Sequence, residues 1–184
     1  MITRQVDDIH HLVNEFSSFA RMPSPKLKVV NINKVVTDYI KPLISSFDDV
    51  TIEIDKIIEK AFIMADEKQI RQACSNLIKN SYENITLNKI PKGNISICFG
   101  IEKDFASITI SDNGTGIDKS IISKILEPYY TTKVGNSGLG LAITKKIIDD
   151  HNGLILIKPL KGAKGTSVTL KFPLISKLKK EKNK

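Results

Sequence analysis

The chain has 184 residues, of which 41% are hydrophobic, enough for one domain with its own core and a small appendage. Its net charge of +8 comes from lysines spread along the chain without interleaved aromatics, which argues against a nucleic-acid platform. No apolar run approaches the roughly 18 residues that a membrane span requires, and Cys74 and Cys98, both in apolar-periodic segments, read as reduced core thiols of a cytoplasmic protein rather than a disulfide or metal pair.

Ile2, Val6, Ile9, Val13, Phe16 and Ala20 recur at helical spacing. Residues 2–20 are therefore expected to form one amphipathic helix, whose apolar stripe needs partner helices from this chain or another. Pro23 and Pro25 end it and set a boundary. Residues 27–32 predict a short strand, and Asn33 is placed to cap a helix running to about Phe47. Residues 50–54 and 61–64 predict two more strands. Asp66 is a good N-cap for the helix that follows, whose Ile70, Ala73, Leu77 and Tyr82 form a core face. Asn76, Asn80 and Glu83, spaced by four and three, share another face. Amide oxygens suit Mg²⁺, although polar helix faces are commonly just solvated.

Residues 93–103 and 105–111 alternate as antiparallel strands turned at Lys103-Asp104. Residues 138–150 predict a helix, Asn152-Gly153 a turn, and 154–158 and 166–172 the last strands. Residues 176–184 form a basic tail expected to be disordered. This order predicts an α+β fold, a two-layer sandwich with helices against a mostly antiparallel sheet.

The stretch from Ser111 to Ala142 organises the rest. The apolar run Ile108-Thr109-Ile110 delivers Asp112 to a strand end, Asn113-Gly114-Thr115-Gly116 breaks the strand, and a polar loop leads to a second cluster, Gly135-Asn136-Ser137-Gly138-Leu139-Gly140, where a helix begins. Glycines allow close backbone approach to a ligand, and a helix start offers free N–H groups to phosphate. The pattern points to a nucleotide site. Asp112 is the candidate base reader, since a carboxylate accepts from an exocyclic amine in a bond worth about 1.5–3 kcal/mol.

These residues resemble the catalytic ATP-binding domain of sensor histidine kinases, within the GHKL group of ATPases. Asn76-Leu77-Ile78-Lys79-Asn80 resembles its N box, Asp112-Asn113-Gly114-Thr115-Gly116 its first glycine box, and Glu127-Pro128-Tyr129-Tyr130-Thr131-Thr132-Lys133 its F box. Gly138-Leu139-Gly140-Leu141 resembles the second glycine box and Gly165-Thr166 the third. Glu15 to Pro23 and the F box are similar to the nitrogen-regulation, NtrY-like sensor kinases. The resemblance implies the Bergerat ATP-binding fold over residues 27–175, preceded in residues 1–22 by the second helix of a dimerisation bundle. It implies ATP and Mg²⁺ as cofactors. Asp112 would bind the adenine amino group, and Asn80 would be the main Mg²⁺ ligand, with Asn76 nearby on metal or phosphate. Lys79 and Lys133 would be the cations. Asn76, Asn80 and Lys133 would carry catalysis. Residues 118–137 would form an ATP lid over the phosphates, with Gly138 and Gly140 at its hinge. Gly114, Gly116, Ile117, Tyr130, Thr131, Thr132, Leu139, Leu141 and Thr166 would complete the nucleotide site.

Departures from the pattern refine this expectation. In ATPases of the group an acidic general base lies one helical turn before the metal asparagine; Asn76 stands there, which favours transfer to a protein over hydrolysis. Glu83 is an acidic neighbour. Asn136 replaces a glycine and is expected to tolerate a left-handed conformation. Ser81 replaces an alanine. His10 and His11 lack the setting of a phosphoacceptor, and His151 reads as a helix-terminal cation. The acceptor histidine is therefore expected on a partner chain, met through residues 2–21 in a homo-dimer or hetero-assembly. A response regulator is an indirect partner, and the parent kinase is expected to be membrane-anchored. Two other readings are a nucleotide-binding regulator or non-catalytic remnant docking on another kinase, and an ATPase or serine kinase of the same fold.

Overall fold

The computed structural model describes residues 17, 21–47, 49–56, 60–133, 136–160 and 164–175. The expected bundle helix and the basic tail lie outside the described residues, apart from Ser17, Arg21 and Met22. Strand β1 (Lys28–Asn31) pairs antiparallel with β3 (Phe62–Ala65) in a separate two-stranded ribbon. The main sheet comprises β2 (Val50–Lys56), β4 (Gly93–Glu102), β5 (Phe105–Asp112), β6 (Leu154–Pro159) and β7 (Thr166–Pro173), in the order β2-β4-β5-β7-β6. Only β2 and β4 run parallel. Helices α1 (Ile32–Ile40), α2 (Glu67–Leu87) and α3 (Gly140–Asp150) form the second layer.

Alternation decides which residues enter the core. On β4, Ile95, Ile97 and Phe99 point inward; on β5, Ala106, Ile108 and Ile110 do; Leu170 and Phe172 continue the row on β7. They meet Ile70, Ala73, Cys74, Leu77 and Ile78 of α2 and Ile143, Ile147 and Ile148 of α3 in one cluster. The same period of two carries Asp112, paired with Ile95 and Thr166, onto the buried face. The opposite face is polar: Thr109 and Thr169 hydroxyls lie 2.9 Å apart, and Ser111 donates to Ser167 at 3.0 Å. Cys98 belongs to this outer row. Its thiol donates to Asp55 Oδ2 at 3.3 Å, so it is not a core residue as expected. Cys74 is, and burial pushes its thiol up to about 12.

Two helix starts differ from expectation. Asn31, not Asn33, caps α1, its side chain accepting from Asn33 N at 3.2 Å. Asn33 is buried inside the helix, and α1 gives way at Ile40 to a 3-10 segment (Lys41–Ser46) carrying Pro42 in its first turn. Helix α3 begins at Gly140 because Gly138 holds φ +70°, outside helical space. Asp66 caps α2 as expected, accepting from Lys68 N at 2.9 Å and Gln69 N at 3.4 Å. No helix among the described residues is long and apolar enough to cross a membrane.

Candidate functional site

A cleft of about 910 Å³ opens between α2, the loop from Asn113 to Leu139 and the inner ends of β5, β6 and β7. Its size suits a small-molecule ligand. Part of its wall is apolar, formed by Ile117, Ile121, Ile125, Leu141, Ile157 and Val168. The polar residues fall into two groups.

The first group surrounds Asp112, which is 6% exposed. Its Oδ1 accepts from Gly114 N at 3.0 Å and its Oδ2 from Ser81 Oγ at 3.1 Å. With the Thr166 backbone N–H as a third donor, the carboxylate keeps about one acceptor position for a ligand. Burial pushes this carboxyl above the ordinary aspartate value, against the pull of bonds from Gly114, Ser81 and the Thr166 backbone and of the Lys133 charge. Gly165 makes room behind it. At φ +135°, a Cβ there would lie 2.0 Å from the Asp112 carbonyl oxygen, so only glycine fits.

The second group gathers on α2 facing the loop. Glu83 Oε2 accepts from Lys133 Nζ at 2.8 Å and from Asn136 Nδ2 at 2.9 Å, and Glu83 Oε1 lies 3.9 Å from Lys79 Nζ. Lys133 also donates to the Asn80 carbonyl at 3.4 Å. Asn136 is tied to α2 by its side chain. Asn76 Nδ2 donates to the Gly140 carbonyl at 3.0 Å, tying α2 to the start of α3. At Gly138 a Cβ would lie 2.7 Å from the Tyr129 carbonyl carbon, because the F-box backbone, with Tyr129 at φ +67°, passes directly over it.

Asn76, Lys79, Asn80, Gly116, Ile117 and Tyr130 line the cleft, as do Thr131, Thr132, Lys133, Gly138, Gly140, Leu141 and Thr166. Gly114 does not; its N–H supports Asp112 from behind. Leu139 does not either, because its side chain, 1% exposed, packs into the core. Sequence reasoning passed over Ser81 as a mild change, although its hydroxyl serves Asp112. It also passed over Asn84, whose Oδ1 accepts from Thr115 Oγ1 at 3.0 Å. The signal for both was their position on α2, one and four residues after Asn80.

No group of three or more His, Cys, Asp or Glu able to hold a metal occurs among the described residues. Mg²⁺ still fits, since it takes amide, phosphate and water oxygens, and the Asn80 side chain faces the cleft with no hydrogen-bond partner among the described residues. His151 is not the expected cation. It is 4% exposed, and its Nε2 accepts from Asp66 N at 3.0 Å, so the ring is neutral there and Nδ1 donates to the Ile147 carbonyl at 2.7 Å.

The family described as histidine kinase-, DNA gyrase B-, and HSP90-like ATPase matches residues 65–176. The sensor histidine kinase NtrY-like of Rickettsia conorii is 33% identical over 174 residues, which cover 95% of this chain and 28% of that protein. The chain thus spans little more than a quarter of such a relative. The nucleotide-free catalytic domain of histidine kinase ThkA has the same fold, with a TM-score of 0.71 at 24% identity, covering 81% of this chain and 96% of that one. The crystal structure of ThkA in complex with response regulator protein TrrA is similar with a TM-score of 0.77 at 21% identity, over 96% of this chain and 50% of that one.

Proposed function

Since the chain belongs to the histidine kinase-, DNA gyrase B- and HSP90-like ATPase family, we propose that residues 27–175 are the ATP-binding catalytic module of a two-component sensor histidine kinase. The module transfers the γ-phosphoryl of Mg-ATP to a histidine supplied by another chain. The observation that carries this reading is the buried Asp112 carboxylate facing a cleft whose other polar group gathers Lys79, Lys133 and Asn136 around Glu83, beside Asn76 and Asn80.

In this reading Asp112 accepts from the adenine amino group, with Thr166 beside it. Asn80 offers its side-chain oxygen to Mg²⁺. Lys133 and Lys79 face the phosphates, and the loop closes over them on Gly138. The metal, when bound, neutralises phosphate charge as the terminal group departs. The residues themselves contribute position and charge, which is most of what phosphoryl transfer needs. Asn76 supports transfer over hydrolysis: it stands where a general base would, but its amide cannot take a proton and is bonded to Gly140. The one histidine among the described residues, His151, is buried with both ring nitrogens engaged, which supports an acceptor elsewhere. The response regulator named beside ThkA supports a two-component setting.

Titration calorimetry with a non-hydrolysable ATP analogue, with and without Mg²⁺, tests the site. Binding that is strengthened by Mg²⁺ and lost in Asp112→Ala and Asn80→Ala is expected; undiminished affinity in both variants overturns the assignment. Phosphate on the histidine of a related kinase's helical bundle, mixed with this chain and ATP, separates an enzyme from a regulator that only binds.

A further inference from the structure

The proposed function leaves Glu83 without a part, yet three polar side chains of the cleft gather on it. Its carboxylate takes Lys133 and Asn136 through one oxygen and neighbours Lys79 through the other. Lys133 and Asn136 both belong to the loop segment just ahead of Gly138, whereas Glu83 and Lys79 sit on α2. All four line the cleft. An anion collecting two lysines and an amide donor at this place has the contacts that a terminal phosphate would need. The Glu83 and Lys133 side chains are only 20% and 25% exposed, so the pair is partly shielded from water.

We propose that Glu83 is a resident stand-in for phosphate, which holds the loop's cation until a ligand takes it over and thereby makes affinity depend on how many phosphates the ligand brings. This rests on the nucleotide reading of the cleft. A ligand without phosphates leaves the Glu83–Lys133 pair intact and feels nothing of it. A ligand with a polyphosphate must draw Lys133 away from Glu83 and sit near an uncompensated carboxylate. Glu83 is a positioning residue here: it acts on the ligand through Lys133 and through its own charge.

The test is calorimetric titration of the full chain with adenosine, AMP, ADP and ATP in chelator, then of ATP with Mg²⁺ restored. For Glu83→Gln, which keeps shape and removes charge, metal-free affinity should rise by about threefold to tenfold for ATP, less for ADP, and not at all for adenosine. Glu83→Asp retains the charge and should show no gain for ATP. Adenosine binding doubles as the check that each variant is folded. An equal or lower ATP affinity in Glu83→Gln overturns the proposal, as does a gain shared by adenosine or one reproduced by Glu83→Asp. Loss of the magnesium effect in Glu83→Gln, with metal-free binding unchanged, makes Glu83 a metal ligand instead and also overturns it. A wild-type chain that binds neither adenosine nor ATP removes the nucleotide reading together with this one, whereas wild-type binding with an unresponsive Glu83→Gln removes this one alone.

Discussion

The two polar groups of the cleft are built in opposite ways. Around Asp112 every partner is a backbone N–H or a short hydroxyl, placed by sheet register, by the tight bend after β5 or by a helix packed on the sheet. Around Glu83 the partners are long side chains, and one of them, Lys79, is 63% exposed. The first group is set before any ligand arrives and suits discrimination by shape and hydrogen bonding. The second is an arrangement of charges that can be traded, and suits a ligand whose charge must move.

Gly165→Val should break the first group most completely. Its Cβ would collide with the Asp112 carbonyl at a φ that side chains avoid, so stability should fall by about 3 kcal/mol or more, read by chemical denaturation. An unchanged midpoint would mean that this end of the sheet yields, and that the rigidity claimed for it is false. Asp112→Asn comes next: ATP affinity should drop about 10- to 150-fold, the equivalent of about 1.5–3 kcal/mol. Its melting temperature should hold or rise, because burial disfavours the charge that the substitution removes.

The pH dependence follows from the same burial. Because the folded-state pKa of Asp112 lies above its unfolded value, the residue lowers stability as pH rises through that pKa, and spares it in acid. Ligand binding runs the other way, since the ionised form is the acceptor. Affinity for adenosine should therefore begin to fall during acidification at a higher pH than an exposed aspartate would impose, and Asp112→Asn should flatten the profile. Ser81→Ala should cost about fivefold in affinity, from one bond of about 1 kcal/mol, and move the midpoint of that profile upward. Smallest is Lys79→Gln: an exposed partner of Glu83 should change stability by less than about 0.5 kcal/mol, and a larger loss would show the second group to be as fixed as the first.

Much of this was legible in the order of residues. The inward row of β5 could be read through to Asp112 because alternation does not depend on the rest of the fold, and α2 could be read from its Asp66 cap and the spacing of Asn76, Asn80 and Glu83. What escaped depends on partners far away in sequence. The α1 cap passed from Asn33 to Asn31 because β1 stops where its pairing with Phe62 stops. Leu139 carries the same glycine-box signature as its neighbours, yet it faces the core. Cys98 looks apolar in context, yet its position in the register puts it on the polar face. His151 reads as a cation until Asp66 is brought to it from 85 residues away.

That last contact has a mechanical consequence. The Asp66 carboxylate that starts α2 also accepts from Lys26 N at 2.8 Å, Gln69 Nε2 holds the Pro23 carbonyl at 2.9 Å, and the Asp66 N–H is spent on His151 at the end of α3. The segment leading into the domain is thus fastened to the same joint as the helix that bears Asn76, Asn80 and Glu83. Turning that segment would break the Lys26 bond to Oδ2, on the carboxylate whose Oδ1 caps the helix. Asp66 is the point where the entering segment, the start of α2 and the end of α3 are joined.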